Sequence, residues 1–193
     1  MRHMSVRDAT LALGISMSTV FSIIWVVAVA IDGTWAFGVQ MVSDLGVSAT
    51  DAHYVFGWGS IVSGTLGSLC AITLYIGGGD RVTKGASMLL FMAGAMLVLV
   101  GTFNEHTAPH APAAISLFVM VWLAMVALAF RDLLGGNLPL GVANASMAVF
   151  VAATLVALPM PLFEALAIIC FLAWVPIVSA ASYLGLPGYS CVT

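Results

Sequence analysis

Apolar residues run through this chain in six long stretches, separated by short segments that carry charge, glycine or proline. A helix needs about 20 apolar residues to cross a hydrocarbon core of about 30 Å, and each stretch is about that long. Backbone polar groups in lipid must be satisfied within their own segment, which favours helices. The pattern therefore predicts an all-α integral membrane bundle of six transmembrane helices. The predicted spans are approximately 10–31, 53–76, 85–103, 112–130, 141–159 and 163–184.

The composition supports this fold class. Hydrophobic residues make up 62% of the chain and charged residues 7%, with a mean hydropathy of +1.15. These values lie well outside the range of a soluble domain. We find no internal repeat or second domain, so residues 1–193 are interpreted as a single transmembrane domain. Membrane lipids are the expected surroundings, and no nucleic-acid partner is expected.

The basic residues predict the orientation of the bundle. Arg2 and Arg7 precede the first span, Arg81 and Lys84 join the second to the third, and Arg131 follows the fourth. Six crossings place all five on one face, and loops rich in lysine and arginine stay in the cytoplasm. Both termini are therefore predicted to be cytoplasmic, in a multi-pass protein of the cell membrane. Arg131 and Asp132 are interpreted only as a helix-stop signal.

The connection after the first span, residues 33–50, is unusually long for a compact bundle. Loops of this length are uncommon and often functional. Trp35, Phe37, Val39 and Met41 make it too apolar for a free loop. We predict an interfacial lid or short helix on the outer face, in the headgroup region.

Ionisable residues are nearly absent from the middle of the predicted spans. Pumps and ion-coupled transporters place such residues there, so that class is disfavoured. The candidate chemistry lies instead at the outer ends, where three histidines and several acidic or hydroxyl side chains share one depth. These are His53, His106 and His110, with Ser43, Asp44, Glu105 and Glu164.

Two interpretations of this outer group remain open. In the first, His53, His106 and His110 hold a zinc ion with one open position, which activates a water for attack on an ester or amide. Asp44 or Glu105 would be the general base and Ser43 an oxyanion or orienting group, with Glu164 nearby. In the second, these are interfacial polar side chains or a structural hydrogen-bond network, and acidic residues favour the first turn of a helix. The second is favoured.

A stripe of small residues, Ser60, Gly64 and Ser68, recurs at four-residue spacing in the second span. Such stripes let another helix approach closely in lipid. The stripe could pack inside the bundle or bind another membrane protein subunit. The internal role is favoured, because every bundle needs such faces.

Three short motifs occur at the outer ends of the spans: Ser43-Asp44-Leu45-Gly46, Gly101-Thr102-Phe103-Asn104-Glu105-His106 with His110, and Glu164 before the last span. They resemble those of a six-span prokaryotic membrane family catalogued as domain of unknown function 998. The resemblance covers roughly residues 10–185 and implies the fold and topology but no activity. It also implies that Asp44, Glu105, His110 and Glu164 form one outer cluster.

A fainter likeness is to membrane hydrolases of the alkaline ceramidase and adiponectin-receptor type, which use Ser, Asp and three His around zinc. Those proteins have seven spans, and their paired histidines lie within a helix. The sequence therefore leaves two functions. The favoured one is a non-catalytic protein that binds lipid or serves as an accessory subunit. The alternative is a zinc-dependent hydrolase of a lipid ester or amide at the outer leaflet.

Overall fold

The computed structural model describes residues 4–189 and confirms the predicted all-α fold. Six helices in this part of the chain are long and apolar enough to cross a membrane. Arg2 lies outside the described residues. The helices are α1 Val6–Asp32, α2 Ala52–Gly77, α3 Arg81–Thr102, α4 His110–Leu134, α5 Leu138–Ala157 and α6 Met160–Tyr183, with a 3-10 helix at Ser43–Val47 between α1 and α2.

Local sequence signals account for where several helices begin and end. Ser5 and Asp8 form a capping box at the start of α1, each side chain accepting from the other's backbone N–H. Gly33 ends that helix with a φ of 71°, in the left-handed region that favours glycine. The Asp80 side chain caps α3 by accepting from the Thr83 N–H at 2.7 Å. Pro109 immediately precedes α4.

The six helices form a ring in which each packs against its neighbours in the sequence, and α1 closes the ring against α6. The core has two parts. One surrounds the fully buried Trp174 and Leu128, and the other surrounds Phe21, Leu45 and Phe56. α6 has the largest buried share among the six membrane helices, so it contributes the largest part of its surface to the core.

The helices α2 and α3 approach each other through glycines on both sides. A Cβ at Gly94 would lie 2.7 Å from the Gly64 carbonyl oxygen, and a Cβ at Gly101 would lie 2.5 Å from the Gly57 carbonyl oxygen. Ser60 and Gly64 are buried at this contact. The small-residue stripe of α2 is therefore used inside the bundle, and its use by another subunit stays a prediction.

Gly94→Ala is expected to destabilise the protein by about 1–3 kcal/mol, because the added methyl group overpacks the crossing of α2 and α3. Gly85→Ala, on the same helix, is the matched control, since a Cβ there meets no atom within 4 Å. That control is expected to be neutral or to stabilise by up to about 1 kcal/mol through helix propensity. The stabilities of the two variants are compared by their thermal unfolding in nanodiscs. Equal effects would show that the close approach does not limit packing.

The bundle has two chemically different faces. The basic face carries the described lysines and arginines, at the start of α1 and α3 and the end of α4: Arg7, Arg81, Lys84 and Arg131. The opposite face, called the histidine face here, carries His53, His106 and His110 with five carboxylates. Assignment of the basic face to the cytoplasm stays a prediction, as does the choice of the cell membrane.

Candidate functional site

The segment between α1 and α2, called the lid segment (residues 33–50), folds back over the end of α1. The Asp32 carboxylate at the end of α1 accepts from the Thr34 hydroxyl at 2.7 Å, the Trp35 N–H at 2.7 Å and the Ser48 hydroxyl at 2.6 Å. The Trp35 indole N–H donates to the Met41 carbonyl at 2.8 Å. One carboxylate thus ties both ends of the segment together. Its location in the headgroup region stays a prediction.

Glu164 anchors the middle of the lid segment to α6. The Val42 N–H donates to the Glu164 carboxyl at 2.6 Å, and Ser43 lies beside the same carboxyl. Glu164 is 7% exposed, and the neighbouring Val42 and Leu45 are fully buried against Phe21. A buried backbone N–H without a partner costs about 1–3 kcal/mol, so this carboxyl holds the lid segment closed.

Asp44 and Glu105 form a carboxyl pair beside this anchor. The Asp44 carboxylate accepts from the Met41 N–H at 2.8 Å, and the Glu105 carboxyl lies beside Asp44 and Ser43. The Oε2 atom of Glu105 is buried without a hydrogen-bond partner. Burial raises the pKa of Glu105, with a further increase from Asp44 and a decrease from nearby His110. The pair therefore brings the lid segment and the α3–α4 connection together.

The stability of the protein is expected to fall as pH rises through the titration of Glu105. Its folded-state pKa lies above the ordinary value of 4.5, so folding favours the protonated form, and stability declines from about pH 4.5 upward through the raised pKa. Glu105→Gln keeps a donor toward Asp44 without a titrating proton. Between about pH 4 and pH 8, the melting temperature of wild type should fall relative to that of Glu105→Gln. Parallel pH profiles would contradict this role.

The three histidines have different surroundings. His110 is buried at the start of α4, and its Nδ1 is 2.7 Å from the Phe103 carbonyl oxygen. The Nδ1 of His53 is 2.5 Å from the Thr50 carbonyl oxygen, and its ring packs on Tyr54. A carbonyl oxygen only accepts, so Nδ1 donates in both rings and Nε2 is the acceptor of the neutral form. His106 is exposed.

The three-histidine zinc site stays a prediction. No group of three His, Cys, Asp or Glu side chains between residues 4 and 189 is placed to hold a metal ion. The structure does bring Ser43, Asp44, Glu105 and Glu164 together near His110. The predicted outer cluster is thus one connected group, while catalytic roles for its members stay predictions.

Two cavities meet at His110. The inner cavity, of about 100 Å³, lies among α1, α2, α3, α4 and α6, and its walls are apolar except at one end. Ser43, His110 and Glu164 form that polar end. The outer cavity, of about 370 Å³, lies at the histidine face and includes His53, Trp58 and Asn104 in its walls. The residues that line both cavities are Phe56, Val100 and His110.

The residues that line the inner cavity extend over about half the length of the membrane helices. Glu164 at its polar end and Val175 at its far end are eleven residues apart on α6, which corresponds to about 16 Å at 1.5 Å per residue. His110 and Val121 on α4 are also eleven residues apart. A hydrocarbon core is about 30 Å thick, so this depth is that of one leaflet.

A second buried polar network, at the basic face, was not predicted from the sequence. Asp132 accepts from the Asn144 amide at 2.8 Å and the Tyr189 hydroxyl at 2.9 Å, and it pairs with Arg131 at 3.0 Å. The Trp174 indole N–H donates to Asn144 at 2.7 Å. Burial raises the pKa of Tyr189. The network closes the basic end of the bundle and docks the segment after α6. The sequence feature that could have indicated this network was Asn144, an amide side chain within the fifth span.

The fold and these contacts define a polytopic membrane protein of six helices, with an apolar cavity that ends in a polar cluster under a folded lid segment. The model of a family described as "Protein of unknown function (DUF998)" matches residues 17–181. The chain belongs to this family, as its motifs predicted. No curated protein matches the chain, and no solved structure matches it.

Proposed function

We propose that this protein binds a single-chain amphiphile, with the alkyl tail in the inner cavity and the head at Ser43, His110 and Glu164. The observation that carries the proposal is the inner cavity itself, which is apolar along its length and polar only at the end nearest the histidine face. Ligand sites of this kind combine apolar walls with a few polar groups that fix orientation. The non-catalytic lipid-binding function is thus the one that the geometry supports best.

The size of the cavity favours one tail over two. Its volume of about 100 Å³ is roughly two thirds of the ~150 Å³ apolar cavity that binds benzene in an engineered protein. As it stands, the cavity therefore holds only a short apolar segment, and the helices must move apart to admit a longer single tail and much further to admit two parallel tails. The depth of one leaflet allows the head to stay at the level of surrounding headgroups while the tail lies in the bundle.

The lid segment supplies the cover of the site. Val42 donates to Glu164, Ser43 lies beside it, and Phe56 in the cavity wall packs against the same part of the core. The head of a bound amphiphile would therefore lie beneath the lid segment and beside the outer cavity. The outer cavity is the route by which the head reaches the surface.

No observation favours the zinc hydrolase over this function. Catalytic zinc uses three protein ligands and an open position, and the described residues do not provide three. We derive no hydrolytic step from the cluster, and the hydrolase stays a prediction.

Thermal unfolding in nanodiscs tests the proposal through the number of tails. Dodecanol is expected to raise the melting temperature of the protein saturably, because a ligand that binds only the folded state stabilises it by mass action. Didodecylglycerol, which has two tails, is expected to give no saturable increase. Equal stabilisation by both compounds would indicate a general effect of the bilayer and contradict the proposal, as would no stabilisation by dodecanol.

A further inference from the structure

The polar end of the inner cavity offers hydrogen-bond acceptors to a ligand. Glu164 presents a carboxyl group whose two oxygens have more acceptor capacity than the lid segment uses. His110 uses Nδ1–H to donate to the Phe103 carbonyl, which leaves Nε2 as the acceptor of the neutral ring. His53 in the outer cavity has the same arrangement toward Thr50. The head that suits this end is therefore one that donates.

The charge of the histidine face favours a positive head. Its five carboxylates are Asp32, Asp44, Asp51, Glu105 and Glu164, and every described lysine and arginine lies on the basic face. The two faces are about one hydrocarbon thickness apart, about 30 Å, whereas salt screens exposed charges beyond about 10 Å. A phosphate, sulfate or carboxylate head would have no nearby lysine or arginine to pair with, and would face carboxyl groups instead.

From this acceptor-rich, acidic end we infer that the amphiphile carries a primary ammonium head, which binds at Glu164 and His110. A primary ammonium has three donors and one positive charge, and its bonds to a carboxylate are roughly twice as strong as neutral ones. An alcohol head offers one donor without the charge. A trimethylammonium head has the charge without a donor. This inference rests on the proposed function, since it assumes that the tail occupies the inner cavity.

Competition between matched heads tests the inference. The probe is an alkyl alcohol with a photoreactive diazirine near the end of its tail, crosslinked to the full chain in nanodiscs. The competitors are dodecylamine, dodecanol, dodecanoate and dodecyltrimethylammonium, each corrected for its own partitioning into protein-free nanodiscs. Dodecylamine is expected to displace the probe at roughly tenfold lower concentration than dodecanol, with dodecanoate weakest. Dodecyltrimethylammonium should be at least about threefold weaker than dodecylamine.

The Glu164→Gln variant tests where the preference arises. Its amide oxygen can still accept from the Val42 N–H, so the lid segment keeps its bond while the carboxylate is lost. The advantage of dodecylamine over dodecanol should fall from about tenfold to about onefold, and this ratio is the readout whether or not dodecanol itself binds more weakly to the variant. The wild-type series alone decides the inference if this variant does not fold.

The outcomes separate the two claims. Equal displacement by all four heads would overturn the ammonium inference and leave tail binding intact. Stronger displacement by dodecanoate, or by dodecyltrimethylammonium at the level of dodecylamine, would also overturn it. No saturable displacement by any competitor would overturn the proposed function itself.

Discussion

Ala93→Phe is expected to reduce binding of a single-chain amphiphile at least tenfold. Ala93 is buried in α3 and lines the inner cavity, so a phenylalanine ring there occupies the space proposed for the tail. Stability should change by less than about 1–2 kcal/mol, because the added ring fills a void and does not displace packed neighbours. Binding is measured as the concentration of dodecanol at half of the maximal thermal shift, and stability as the melting temperature without ligand.

The matched control is Ala173→Phe on α6. Ala173 is exposed on the outside of the bundle and lines neither cavity. The substitution adds the same ring to the lipid-facing surface. Binding should stay within about twofold of wild type, since no contact in the cavity changes. Unchanged binding in Ala93→Phe, or equal losses in the two variants, would count against the inner cavity as the tail site.

Asp132→Ala is expected to give the largest loss of stability, about 3–5 kcal/mol. The change removes the acceptor for Asn144 and Tyr189 and leaves the Arg131 guanidinium, whose side chain is 10% exposed, without its buried partner. Arg131 also lies over the Tyr189 ring at 3.9 Å, so the docked segment after α6 should loosen with it. Denaturant unfolding in mixed micelles measures the free energy, and proteolysis reports the release of that segment.

Asp51→Ala provides the comparison for a carboxylate at the other face. Asp51 is exposed, and its side chain makes no capping hydrogen bond at the start of α2. Its replacement should change the free energy of unfolding by no more than about 0.5 kcal/mol. A loss below about 1 kcal/mol in Asp132→Ala would show that solvent or lipid headgroups replace the network at little cost.

The hydrophobic pattern was sufficient to predict the six membrane helices, because each span is long, apolar and bounded by charge, glycine or proline. The boundaries differ by a few residues. The fourth span was expected to start near residue 112, and α4 begins at His110, whose ring is held by the Phe103 carbonyl. Such differences arise where a side chain contact extends a helix beyond its apolar run.

The outer cluster could also be anticipated in part, since membrane topology places the ends of successive spans at one depth. Ser43, Asp44, Glu105 and Glu164 come together in the structure for that reason. Depth alone does not determine which way a loop side chain points, so it could not show that His106 is exposed.

The inner cavity and the basic-face network could not be predicted from the chain alone. The cavity depends on how five helices leave space between them, and no periodicity records that space. In the sequence, Asp132 marks the end of a helix and Asn144 is an isolated amide within a span. Their hydrogen bonds to each other and to Trp174 are visible only when α4, α5 and α6 are packed together. Long-range pairing of isolated polar residues carries no local signal.

Mapping the crosslinks of the photoreactive alkyl alcohol is the most direct test of tail binding in the inner cavity. The diazirine at the end of the tail is predicted to label residues at the far end of the inner cavity, such as Met17, Val121 and Val175. This labelling should saturate as the concentration of the probe rises. Excess dodecanol should remove that labelling, and Ala93→Phe should lack it. Labelling confined to the lipid-facing surface, at residues such as Ile115 and Val149, and insensitive to dodecanol, would contradict the account.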